Sequence, residues 1–140
     1  MKHPIHPLIV HFPIACWSLS TLGDLASLVF TTNLTQVVGT LMLIGCISAI
    51  IAMAAGLYDV RKINNDAQIE NNVDKHMYAA ASAWCLYSLS LYSRWDGNIF
   101  NNPDTLAITT SVIGLVILFI TGWYGATLVY QNGVGVNKKN

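Results

Sequence analysis

Apolar residues gather into four stretches, at about residues 8–30, 36–58, 77–93 and 106–130, and charged residues fall almost entirely between them. Each stretch approaches the ~20 residues that an α-helix needs to cross a ~30 Å hydrocarbon layer. The third is shortest and reaches full length only with His76 and Arg94 at its ends. None carries a polar face, and four such helices could not cover one another with water-soluble surface. The pattern predicts an all-α membrane protein: an antiparallel four-helix transmembrane bundle, one domain over residues 1–140. No internal repeat, low-complexity tract or second domain stands out.

An even number of spans puts the N-terminus, the middle connection and the C-terminus on one side. That side collects Lys2, Arg61, Lys62, Lys75, Lys138 and Lys139, whereas the opposite connections hold only Arg94. Positive residues stay in the cytoplasm, so both termini are expected inside. The first connection, residues 31–35, is short and makes a hairpin of spans one and two. The middle one, residues 59–75, holds most of the charge and is expected to be the main cytoplasmic loop. The third closes with residues 98–103, after which Asp104 or Thr105 can cap the last helix. Asn33-Leu34-Thr35 matches a glycosylation sequon by pattern alone. The first span follows a lysine, as a signal peptide would. It is longer than a usual signal core and lacks a clear A-x-A site, so it is expected to be a retained helix.

Composition sharpens this picture. The chain is 54% hydrophobic and 10% charged, where soluble domains carry about a quarter charged residues. Its seven acidic and seven basic residues cancel, so no polyanion partner is expected; the partner is the lipid bilayer, and nucleic acid is excluded. Cys16, Cys46 and Cys85 fall in separate apolar stretches with no C-x-x-C pair, and read as small buried hydrophobes.

Faces within the spans indicate how they pack. Gly45, Ala49, Ala52 and Gly56 share one stripe of span two, and Gly114, Thr121 and Gly125 share one of span four. Small stripes let backbones approach closely in lipid. Span three carries His76, Ala80, Ala83, Tyr87, Ser90 and Arg94 on one face, which should look inward. Arg94 would then lie level with Asp24 of span one, and the two are expected to form a structural ion pair. Trp95 fits an interfacial belt.

The candidate chemistry lies at the other end. His3, His6 and His11 stand at the mouth of span one and His76 at the foot of span three. Up-and-down folding brings His6, His11, Asp59, His76 and Tyr130-Gln131-Asn132-Gly133 to the same membrane face. Imidazoles at a hydrocarbon boundary cost free energy unless they bind or bond something. Pro4, Pro7 and Pro13 limit the residues before them to extended conformations, so the entry segment is expected to be a stiff, partly extended strap. Three uses fit these groups. Histidines from facing helices can hold a haem iron axially, the cluster can hold a bare transition metal, or it can be a hydrogen-bonded latch. No nucleophile with a neighbouring base and no phosphate loop is present, so electron transfer is the only enzyme class indicated. Gly133-Val134-Gly135 lacks the strand–turn–helix setting of a nucleotide site.

The opening His6-Pro7-Leu8-Ile9-Val10-His11-Phe12-Pro13-Ile14-Ala15 resembles one signature of a bacterial membrane family. The closing Gly122-Trp123-Tyr124-Gly125-Ala126-Thr127-Leu128-Val129-Tyr130-Gln131-Asn132-Gly133-Val134-Gly135-Val136 resembles the other. The family is the domain of unknown function 2231, and the likeness covers essentially the whole chain, with His76 matching the histidine that opens its third span. The resemblance implies four spans in the bacterial inner membrane and points to haem or another redox cofactor. Members commonly carry histidine where this chain has Asn132, and a second glycine where it has Ala126. Asn132 is a poor iron ligand, so one ligand of a four-histidine set would be missing.

These readings combine into a b-type haem subunit for electron transfer, or a redox partner. Position favours His11 and His76 as ligands with His6 in reserve, and Asp59, Tyr130 or Asn132 orienting them. A quinol or a membrane redox complex would be the partner, and a homo-oligomer is compatible. The alternative is a non-catalytic membrane protein whose cluster of His6, His11 and His76 binds a transition metal ion or serves as a latch.

Overall fold

A computed structural model describes residues 5–30, 33–61 and 67–136. Lys2, His3, Pro4, Lys62, Lys138 and Lys139 lie outside the described residues, as does part of the first connection. The helices are α1 (His6–Ile9), α2 (His11–Val29), α3 (Thr35–Val60), α4 (Ala67–Arg94) and α5 (Thr105–Tyr130). α1 and α2 form one continuous rod, so the fold is a bundle of four long helices, with no β-strand among the described residues. The joint at Val10 has a covalent cause: Pro13 has no N–H to give the Ile9 carbonyl, and α1 ends at Ile9. The expected extended strap is therefore helical over His6–Ile9, because Pro7 sits in the first turn, where no N–H is required.

Three rods, His6–Val29, Thr35–Val60 and Thr105–Tyr130, are long and apolar enough to cross a membrane on their own. α4 is not, because its apolar part is interrupted by Ser82, Ser88, Ser90, Ser93 and three tyrosines and flanked by His76 and Arg94, and its first turns carry Gln68, Glu70, Asn71, Asn72, Asp74 and Lys75. Those residues were expected in a loop, yet they tolerate helix and simply lengthen α4 beyond its apolar part. Connectivity makes α4 the fourth rod: it bonds to α5 at Thr121 near one end and at Ala107 near the other. Asp104 caps α5, its carboxylate accepting the Ala107 N–H at 2.7 Å. The closing motif ends that helix. Gly133 and Gly135 take φ of 66° and 77°, left-handed values that favour glycine, and Val134 N–H turns back to the Leu128 carbonyl.

The bundle is apolar outside and small or polar inside. Leu8, Val29, Phe119 and Trp123 are exposed, while Ser20, Thr21, Asp24, Ser90, Arg94 and Ser111 are buried. Such an exterior suits lipid, where close backbone approach and interhelical hydrogen bonds hold helices together.

An internal repeat, not evident along the sequence, emerges from the contacts. Asp24 and Arg94 are 70 residues apart and form an ion pair. At the same separation, Trp17 stacks on Tyr87 and the His6 ring meets the His76 ring. The second helices match in a register one residue shorter. Ser20 Oγ donates to the Val38 carbonyl at 3.3 Å, and its counterpart Ser90 Oγ donates to the Ala107 carbonyl at 2.7 Å. Gly45 abuts Trp17 and Cys16, as Gly114 abuts Tyr87 and Leu86. Residues that touch their own counterparts lie on a symmetry axis. The hairpins α1–α2–α3 and α4–α5 are thus related by a quasi-two-fold axis along the bundle, a relation known for parallel repeats in transporters. Contacts are denser within each hairpin than between the two.

Candidate functional site

Three counterpart pairs stand on that axis, and the histidines occupy one end. His6 Nδ1–H donates to the Ala52 carbonyl of α3 at 2.7 Å. His76 Nδ1–H donates to the Thr121 carbonyl of α5 at 3.0 Å. A carbonyl can only accept, so Nδ1 carries the hydrogen in both rings and Nε2 keeps its lone pair. One turn beyond each carbonyl is a glycine. A Cβ on Gly56 would stand 3.1 Å from His6 Nδ1, and one on Gly125 would stand 3.3 Å from His76 Cε1. These glycines make room for the rings. The ring centroids are 6.0 Å apart, with the planes at 88°.

The other residues singled out from the sequence take different places. His11 lies exposed on α2, and Tyr130 is 87% exposed. Asp59 is half-buried near the end of α3. Asn132 accepts a hydrogen bond from Asn72 Nδ2 at 3.2 Å, tying the end of α5 to the first turns of α4. Among the described residues, no three His, Cys, Asp or Glu side chains gather closely enough to hold a metal ion.

Midway along the axis Trp17 and Tyr87 stack, with centroids 4.6 Å apart and planes within 4° of parallel. Thr21 Oγ1–H donates to the Ser111 carbonyl at 3.3 Å, so Tyr87 O–H is the donor in its 2.9 Å bond to Thr21 Oγ1. At the far end Arg94 Nη1 and Nη2 donate to the two carboxylate oxygens of Asp24, each at 2.9 Å. Arg94 also donates to the carbonyl and hydroxyl of Ser90, and Ser111 Oγ approaches Asp24 at 3.5 Å. Side-chain exposure is 0% for Arg94 and 2% for Asp24, so the pair is fully enclosed. The α4–α5 loop covers this end. Phe100 packs over Gly39, and Gln36 clamps both its carbonyl and its N–H.

Sequence reasoning singled out Gly45, Gly114, Gly56 and Gly125 only as a packing stripe, and missed the Trp17–Tyr87 stack. A signal for both was present. Trp17-Ser18-Leu19-Ser20 and Tyr87-Ser88-Leu89-Ser90 match in four positions up to one aromatic exchange, at the spacing that also relates His6 to His76.

Neither a curated protein nor a solved structure matches the chain. A family model described as a predicted membrane protein matches residues 2–138. With nearly its whole length covered and its long helices apolar, the chain is a membrane protein and belongs to the domain of unknown function 2231 family.

Proposed function

We propose that the protein is a haem-binding electron-transfer subunit of the bacterial cytoplasmic membrane, with His6 and His76 as axial ligands of a b-type haem. The observation that carries this is the paired imidazole, one from each hairpin, each fixed by Nδ1–H to a main-chain carbonyl. Metal-bound histidines characteristically donate their second nitrogen in this way, which sets the tautomer and the ring orientation. Two imidazoles on opposite sides of one metal ion, at about 2 Å each, have ring centres roughly 6 Å apart. The observed 6.0 Å agrees with that spacing.

The donor set also favours haem over a bare ion. Zinc and its neighbours take about four protein ligands or three plus water, and among the described residues two histidines meet here. Haem brings four nitrogens of its own and asks the protein for one or two. A bound haem would supply a one-electron couple. The chain's own residues would hold it, fix the two imidazole rings and exclude water. The histidine end would face the cytoplasm, since Arg61 and Lys75 lie there and Arg94 at the other end is neutralised by Asp24.

A structural latch is the second reading, because both imidazoles already have hydrogen-bond partners. Gentle purification from haem-replete cells separates the two. A haem protein shows a Soret band and sharper visible bands on reduction; a colourless protein that is also free of metal leaves only the latch.

A further inference from the structure

The halves differ where Trp84 has Ile14 as its counterpart. Trp84 bridges α4 and α3, its Nε1–H donating to the Cys46 carbonyl at 3.2 Å, and Ser88 Oγ–H donates to Cys46 Sγ at 3.8 Å. The counterparts of Trp84, Ser88 and Cys46 are Ile14, Ser18 and Leu115. These three, with Leu118, Phe119 and Gly122, line an open groove of about 250 Å³ between α2 and α5. On one side of the axis an indole fills the gap between hairpins; on the other the gap is left.

Gly122 gives a second indication. A Cβ there would meet no atom within 4 Å, so packing inside the chain does not call for a glycine. The groove is apolar apart from Ser18, and Phe119 beside it is 73% exposed on the lipid-facing surface. It also adjoins the histidine site, because Gly122 follows Thr121, whose carbonyl holds His76.

We infer that this groove binds the planar head of a lipid-soluble quinol, in the place the Trp84 indole takes across the axis. The choice of a quinol among planar rings rests on the electron-transfer reading. The occupied side shows what the gap accepts: a flat ring carrying a hydrogen-bond donor at its edge, wedged between the hairpins beside a serine. A quinol presents such a ring with hydroxyl donors, and Ser18 offers an acceptor. Whole-ligand pockets run from ~300 to 1,000 Å³, so an open groove of about 250 Å³ offers room for a head group and leaves an isoprenoid tail in lipid.

The test uses full-length protein in phosphatidylcholine nanodiscs and a radiolabelled short-tail benzoquinol. Wild type is compared with Ile14→Trp, which restores the missing indole, and with Gly122→Leu, which fills the floor from the other helix. The expected result is saturable binding at one site per chain, lost in both variants while their melting temperatures stay close to wild type. If Ile14→Trp fails to fold, Gly122→Leu alone decides. Binding that rises linearly and equally in all proteins would overturn the inference and leave the groove to lipid acyl chains. The arms also separate the two readings. A colourless protein with saturable, variant-sensitive binding supports the groove and removes the haem, whereas a haem protein with only linear uptake overturns the groove and leaves the histidine pair standing.

Discussion

Replacing Asp24 with leucine strands the Arg94 guanidinium inside the bundle. The change removes two hydrogen bonds of 2.9 Å and leaves Arg94, among the described residues, bonded to Ser90, at a site where its side chain is 0% exposed. Breaking a buried pair from one side costs about 3–5 kcal/mol, while replacing both partners by apolar groups is often near neutral. Arg94→Met should cost less than Asp24→Leu, because a stranded carboxyl can take up a proton and a guanidinium cannot lose one. The double variant should recover most of the loss, so the coupling should approach the sum of the two single losses, about 5 kcal/mol or more. The assay is reversible unfolding in mixed micelles followed by tryptophan fluorescence, run as a double-mutant cycle. Losses that add to within about 0.5 kcal/mol would refute the reasoning.

The quasi-two-fold axis extends this prediction. With Asp24→Arg and Arg94→Asp together, the new arginine finds Ser20 where Arg94 has Ser90. The new carboxylate faces Met42, the counterpart of Ser111, and lacks the hydroxyl that approaches Asp24 at 3.5 Å. The swap should therefore recover much, though not all, of the stability lost in either single reversal. The pair also selects how hairpins combine, because two copies of either half would set like charges together on the axis.

Gly56→Ala and Gly125→Ala should each displace a histidine ring and weaken haem retention, the first more strongly because its Cβ comes 3.1 Å from His6 Nδ1; haem content per chain measures this. Gly39→Ala places a methyl group on the Phe100 ring and should destabilise by about 1–3 kcal/mol through detachment of the α4–α5 loop, read as faster amide exchange at Phe100. In that loop Asp96 accepts the Ile99 and Asn98 N–H groups, which hold its carboxyl below the usual range. A depressed carboxylate adds loop stability above its unfolded value of 3.8 that is lost as pH falls through the folded one. Exchange at Ile99 should therefore rise below about pH 4, and Asp96→Asn should abolish that pH dependence.

The four apolar stretches, their up-and-down order and the approach of Asp24 to Arg94 were legible because each follows from bulk properties. Lipid demands length and apolarity, and a lone charge demands a partner. The repeat was legible only in a four-residue match, since most of the lipid-facing positions that separate its landmarks need only be greasy and differ between the halves. Leu8 stands against Tyr78 and Phe12 against Ser82, and the clearest match is the short run Trp17–Ser20 against Tyr87–Ser90, which includes the inward Ser20 and Ser90. The meeting of His6 with His76 was obscured by proline. Pro7 and Pro13 make the opening segment read as extended, whereas Pro7 begins a helix and Pro13 merely interrupts one. The first turns of α4 were hidden by their charge, which marks exposure rather than the absence of helix.

The most direct test of the histidine pair is the visible and electron paramagnetic resonance spectrum of purified wild type beside His6→Ala, His76→Ala and His11→Ala. Six-coordinate low-spin haem is expected in wild type, with the strongly anisotropic signal of imidazole planes near the observed 88°. His11→Ala should match it, and His6→Ala and His76→Ala should each lose the low-spin form. An unchanged low-spin spectrum in either of those two variants, or a wild-type protein without haem, would contradict the account.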